Sequence, residues 1–110
     1  MAVWWGTPVE GMSAFARLLR NGEISPGEFQ SATARLAMLR RKWIEVQPTE
    51  PLRVLAEKLV QHHPLRSADA LQLAAALTWS KHHPRGRAFV CFDGRLAEAA
   101  RKEAFAVDIV

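Results

Sequence analysis

The chain has 110 residues, a length that suits one small domain with a modest hydrophobic core. Its 49% hydrophobic and 24% charged residues argue against disorder, and its net charge of +4 permits a polyanionic partner without requiring one. No apolar run approaches the roughly 18 residues of a membrane span, and the N-terminal sequence has no features of a secretory signal, so neither segment is expected.

The first predicted elements are a short strand and a helix. Val3, Trp4 and Trp5 form a β-prone run that Gly6 ends. A helix is predicted to begin near residues 8–10 and to end at the Asn21-Gly22 turn. Its helically spaced apolar positions are Met12, Phe15, Leu18 and Leu19.

A capping signal predicts the second helix. Ser25 is followed three residues later by Glu28, as in a capping box, and Pro26 suits the first helical position. One apolar stripe is predicted along this helix, formed by Phe29, Ala32, Leu36 and Leu39. Residues 43–46 then alternate with a period of two, which predicts a second short strand.

Two further helices are predicted before the next strand. The third is marked by the apolar positions Leu52, Leu55, Ala56, Leu59 and Val60. Ser67 is predicted as the N-cap of the fourth, which extends from Ala68 to about Ser80. Because this fourth helix is apolar on most of its circumference, we expect it to be central and buried.

The last predicted elements are a strand over residues 87–92, a helix over residues 96–103 and a strand over residues 106–110. The alternation of strands and helices predicts one α/β domain with a mostly parallel sheet and about four strands and five helices. Ligands of such sheets bind at the carboxyl ends of the strands.

Three carboxylates are predicted to lie at that edge of the sheet. Glu10 follows the first strand, Asp69 lies in the first turn of the buried helix, and Asp93 follows the strand of residues 87–92. Three oxygen donors around one point would bind Mg²⁺ or Mn²⁺, which could activate water for attack on a phosphate. Each acid also has a structural alternative, because carboxylates near helix N-termini commonly act as caps.

Three segments of the sequence match blocks that occur together in one family. Residues 63–76 read HPLRSADALQLAAA, residues 89–100 read FVCFDGRLAEAA, and residues 7–10 read TPVE. They resemble the blocks LRxxDALhLAAA, FVTFDxxLAxAA and TxxxxE of PIN-domain proteins. The resemblance runs along essentially the whole chain and is closest to the VapC-like ribonuclease toxins of bacterial toxin–antitoxin pairs.

This resemblance implies a PIN-like three-layer fold and metal-dependent cleavage of RNA in the cytoplasm. The implied metal ligands, for Mg²⁺ or Mn²⁺, are Glu10, Asp69 and Asp93. Their neighbours Thr7, Arg66 and Arg95 would hold the phosphate of the substrate or structure the site. The implied partners are an RNA substrate and a small antitoxin protein that blocks the acidic groove.

The sequence departs from the family at its beginning. PIN domains normally open with a central strand that carries a metal-binding Asp, followed by a helix, and this unit is absent. Either the true start lies upstream, or the chain is a degenerate or regulatory form. We therefore expect a weakened metal site and open strand edges that a homodimer would cover. The alternatives are a non-catalytic PIN-derived module that binds RNA, an antitoxin or its own copy, and a small α/β dimer whose acids serve only as caps.

Other conspicuous residues are expected to be structural. The tryptophans are expected mostly in the core or a dimer contact, with base stacking as the alternative; they are Trp4, Trp5, Trp43 and Trp79. The pairs His62-His63 and His82-His83 flank prolines and are expected to be loop residues rather than zinc ligands. The single cysteine, Cys91, excludes an internal disulfide, is predicted to be an inert core thiol and fits a reducing, cytoplasmic setting.

Overall fold

A computed structural model describes residues 1–91 and 93–109 of the chain. In these residues the elements follow the order β1 (Ala2–Trp4), α1 (Thr7–Arg20), α2 (Pro26–Arg40), β2 (Ile44–Val46), α3 (Glu50–His62), α4 (Ser67–Trp79), β3 (Ala88–Cys91), α5 (Gly94–Lys102) and β4 (Ala106–Ile109). This order confirms the predicted α/β class. Phe92 and Val110, which were predicted in the last two strands, lie outside the described residues. No helix among the described residues is long and apolar enough to span a bilayer.

The strands form two separate parallel pairs. β1 pairs with β2, with Trp4 opposite Val46, and β3 pairs with β4, with Ala88 opposite Ala106. In the part of the chain that the structure describes, no ladder joins the two pairs, so the expectation of one continuous sheet is wrong. The alternation of helices and strands predicts that neighbouring strands run parallel, but it does not determine which strands come close enough to share hydrogen bonds.

The two N-terminal helices have good local signals but little burial. The predicted capping box of α2 is confirmed, because Ser25 Oγ accepts a hydrogen bond from the Glu28 N–H at 3.1 Å while Glu28 Oε1 accepts one from the Ser25 N–H at 2.9 Å. Neither α1 nor α2 contains a buried residue. The apolar stripe predicted for α2 is therefore at most half-buried, and Leu39 at its end is 43% exposed.

The buried core lies in the second half of the chain, around α4. Leu73 and Ala74 of this helix are completely buried, which confirms the prediction that it is central. α4 packs against α3, β1 and α5. The core residues are Leu52, Ala56, Leu59, Ala70, Leu73, Ala74, Ala75, Leu77, Phe89, Cys91, Leu96, Ala97, Ala99, Ala100 and Phe105.

The beginning of α4 differs from the prediction by one residue. Arg66, not Ser67, occupies the N-cap position, and it makes no side-chain capping hydrogen bond. The Ala70 N–H donates to the Arg66 carbonyl oxygen at 3.0 Å, so the first helical hydrogen bond forms one residue earlier than a Ser67 cap would require. The side chain of Arg66 is consequently exposed at the start of the helix.

Candidate functional site at the acidic edge

Each of the three predicted acids lies at or near the beginning of a different helix. Glu10 lies in the first turn of α1, Asp69 in the first turn of α4, and Asp93 is the N-cap of α5. Burial raises the pKa of Glu10 and that of Asp69 most; the charge of Asp69 adds to the rise at Glu10, and the charge of Asp93 adds to the rise at Asp69. The fold therefore brings together acids that are 59 and 24 positions apart in the sequence.

Glu10 is held in place by a residue of α4. Its Oε2 accepts a hydrogen bond from Gln72 Nε2 at 3.0 Å. Burial raises the pKa of Glu10 most, the hydrogen bond from Gln72 opposes that rise, and the charge of Asp69 adds to it. Gln72 was not predicted as a site residue. The signal was present in the sequence, because it is the one polar side chain in the run from Ala70 to Leu77.

Asp69 carries the strongest sign of crowded negative charge. Burial raises its pKa most, and the neighbouring charge of Asp93 raises it further. A hydrogen bond from the backbone N–H of Arg66 and the positive charge of the same residue oppose the rise. A carboxylate in such surroundings gains from a cation placed beside it.

Asp93 combines a structural role with a position at the site. Its Oδ1 accepts a hydrogen bond from the Arg95 N–H at 2.9 Å, which caps α5. The capping alternative is therefore confirmed for this residue. The cap uses one carboxylate oxygen, and a carboxylate has two, so capping and metal binding do not exclude each other.

An open cleft of about 180 Å³ joins the two aspartates. Its lining consists of Pro64, Arg66, Asp69, Asp93 and Arg95. Four of the six side chains predicted for the site thus share one surface, with two acids and two arginines.

The remaining two predicted residues lie outside this lining. Glu10 lies near Asp69, whose charge adds to the rise that burial causes in the pKa of Glu10. The Oε2 atom of Glu10 accepts a hydrogen bond from Gln72. Thr7 is the half-buried first residue of α1.

The donors that this edge offers to a metal ion are carboxylate oxygens. Among the described residues, no three His, Cys, Asp or Glu side chains are grouped closely enough to hold a metal together. Mg²⁺ in proteins is often bound through one or two carboxylates, with water and substrate phosphate completing its shell. Asp69 and Asp93 fit that pattern, with Glu10 as a neighbouring charge.

No family model matches the chain, and no match was found among curated proteins or solved structures. The likeness to PIN domains therefore rests on the three sequence blocks.

His63 and Cys91, for which structural roles were predicted, are both buried. His63 lies in the loop after α3, as expected, but it is 8% exposed and its Nε2 lies 2.8 Å from Glu103 Oε2, so it links the ends of α3 and α5. The neighbouring Pro64 gave no hint of this contact, because Glu103 is 40 residues away in the sequence. Cys91 is buried, and burial raises the pKa of its thiol, as expected for an inert core residue.

Proposed function

We propose that this chain is a PIN-like, metal-dependent ribonuclease domain, the toxin component of a toxin–antitoxin pair. The observation that supports the proposal most is the cleft shared by Asp69 and Asp93, with Arg66 and Arg95 in the same lining. Carboxylates suit Mg²⁺ or Mn²⁺, and guanidinium groups suit the phosphate of an RNA strand. The cognate antitoxin would be a small protein that covers this cleft.

In this proposal each side chain has one task. Asp69 and Asp93 would hold Mg²⁺ or Mn²⁺, which supplies activation of water and neutralisation of phosphate charge. Arg66 and Arg95, which line the same cleft, would bind and orient the phosphate. Glu10, fixed by Gln72, would keep negative charge beside Asp69 and so strengthen the attraction for a cation.

The direct test is cleavage of a labelled single-stranded RNA in the presence of Mn²⁺. We expect cleavage by the parent chain and a loss of at least about 100-fold in Asp69→Asn and in Asp93→Asn, because each variant removes one charged ligand. Glu98→Gln is the matched control, since Glu98 is exposed on α5 and pairs only with Arg101 at 3.7 Å among the described residues. Cleavage that persists in both aspartate variants would assign it to a contaminant or to another site.

A second candidate is a non-catalytic module that binds its own copy. The observation that favours it is the set of exposed apolar side chains on α1 and α2, neither of which contains a buried residue. These side chains are Val9, Met12, Met38 and Leu39. A homodimer that packs through α1 and α2 would cover these side chains.

Light scattering over a range of protein concentrations tests this candidate. We expect the mass of two chains for the parent and a shift to one chain in Met38→Glu, because a charge at this exposed apolar position would be desolvated in the dimer. Gln30→Glu adds the same charge at another exposed position of α2 and should leave the mass unchanged. A parent that has the mass of one chain at all concentrations contradicts the dimer.

A further inference from the structure

The end of α4 remote from the acidic edge carries a basic and aromatic surface. It is formed by residues 79–87, which we call the α4–β3 loop, and its sequence is WSKHHPRGR. Asp69 and Trp79 lie at opposite ends of α4, ten residues apart, which corresponds to about 15 Å along the helix axis. The loop therefore forms a surface of its own and is not part of the cleft.

Trp79 is 43% exposed at the end of α4, whereas the large apolar side chains of Leu73 and Leu77 in the same helix are buried. The guanidinium group of Arg87 lies over its ring, 5.2 Å from the centroid. Trp79 is thus not a core residue, whereas Trp4 packs against the core. A large indole held at the surface beneath a cation is a ready platform for a flat ligand.

The loop holds its basic side chains on a defined backbone. Lys81 and His82 both have left-handed conformations, with φ of 54° and 62°, although neither is glycine. Such conformations persist only where the surroundings hold them. Here the Lys81 N–H donates to the Thr78 carbonyl at 3.0 Å and the His82 N–H to the Leu77 carbonyl at 2.8 Å. Lys81 is therefore presented from a fixed turn.

Positive charge in the loop is not balanced locally. The loop contains Lys81, Arg85 and Arg87 and no acidic residue, and all three basic side chains are exposed. Among the described residues, none of the three takes part in a salt bridge. The negative end of the α4 dipole accounts for Lys81 just after the helix, but Arg85 and Arg87 lie beyond its reach.

We propose that the α4–β3 loop binds single-stranded nucleic acid. Lys81 and Arg85 contact backbone phosphates, and an unpaired base stacks at the platform of Trp79 and Arg87. A single strand is favoured over a duplex because its bases are free to stack on an aromatic side chain. An acidic protein segment would be attracted by the basic side chains, but it carries no bases to stack on the exposed indole of Trp79. The proposal does not depend on the nuclease activity of the acidic edge.

The test measures binding of fluorescently labelled oligouridylate and oligodeoxythymidylate by fluorescence polarisation. EDTA is present so that no metal-dependent cleavage occurs. Trp79→Leu should weaken binding by roughly 5- to 150-fold, since stacking of one base contributes about 1–3 kcal/mol. Trp79→Phe should recover part of the loss because it restores an aromatic face.

The cations are tested through the dependence of binding on salt. Lys81→Asn/Arg85→Gln should reduce the slope of log K against log salt by about 1.4, because each lost phosphate contact contributes about 0.7 for a single strand. Asn is chosen at position 81 because it tolerates a left-handed backbone. The matched control, Arg41→Gln/Lys42→Gln, removes two exposed charges after α2 and should leave the slope nearly unchanged.

Three outcomes would overturn the proposal. The first is an equal loss in the loop and control double variants, which would indicate a general effect of net charge. The second is unchanged binding in Trp79→Leu. The third is equally tight, equally loop-dependent binding of oligoglutamate, which would indicate a site for acidic protein segments. Binding is measured in EDTA and cleavage in Mn²⁺, so failure of the proposed nuclease and failure of this site are distinguished.

Discussion

Mn²⁺ titrated into the parent chain is expected to bind saturably in calorimetry, and this binding is expected to disappear in Asp69→Asn and in Asp93→Asn. Both aspartates line the same cleft, and a Mn²⁺ ion held by two carboxylates and water has few other protein ligands to retain it when one is neutralised. Glu10→Gln should weaken binding without abolishing it, because Glu10 lies outside the cleft lining and contributes charge beside Asp69.

The aspartate variants are designed so that loss of binding is not loss of folding. Asn at position 93 still caps α5, because its side-chain oxygen accepts the Arg95 N–H as Asp93 does. Glu98→Gln removes the same charge elsewhere on α5 and should bind Mn²⁺ like the parent. Binding that is indifferent to both aspartate substitutions would show that the cleft is not the metal site.

The stability of the Asp69→Asn variant should also differ from that of the parent in the absence of metal, and this difference should depend on pH. The pKa of Asp69 is raised above its ordinary value of 3.8, so the native state holds this proton more tightly than the unfolded state does. Stability from this group is therefore present at low pH and is lost as pH rises through the raised pKa. We expect Asp69→Asn to melt at a higher temperature than the parent at neutral pH. The difference should shrink as the pH falls through the raised pKa of Asp69 towards 3.8. A variant that melts lower at neutral pH would mean that the charge of Asp69 is already compensated.

The position of the acidic residues could be predicted because it follows from chain direction. Asp69 and Asp93 each lie where a helix begins, and one cleft joins them. Glu10 also lies in the first turn of a helix, but outside the lining of this cleft. The hydrogen bond from Gln72 to Glu10 was not predictable in this way, because it depends on the rotation of α4 about its axis.

Contacts between distant segments were the main failures of prediction. Ser67 looks like a cap, but the extended backbone at Arg66 starts the helix one residue earlier. His63 and Glu103 are 40 residues apart, and no local sequence pattern indicates that the C-terminal ends of α3 and α5 meet. Similarly, the spacing of strands predicts parallel pairs but not the break between β1–β2 and β3–β4. Sequence periodicity describes one element at a time, whereas these features depend on how elements dock.

The largest expected effect on stability is that of Leu73→Ala. Leu73 is completely buried in the central helix α4, and α3 and β1 pack against this helix. Removing its side chain leaves a cavity that the surrounding helices cannot fully close, so we expect the free energy of unfolding to fall by about 2–5 kcal/mol. For a domain of this size the melting midpoint should fall by about 10 °C or more in thermal denaturation followed by circular dichroism.

Leu39→Ala makes the same chemical change in a helix without buried residues. Leu39 is 43% exposed in α2, so its loss should alter the free energy of unfolding by less than about 1 kcal/mol. Equal destabilisation by both substitutions would contradict the location of the core. It would mean that the apolar face of α2 is buried in solution as deeply as α4, and the self-association of the chain would then have to be part of its folding.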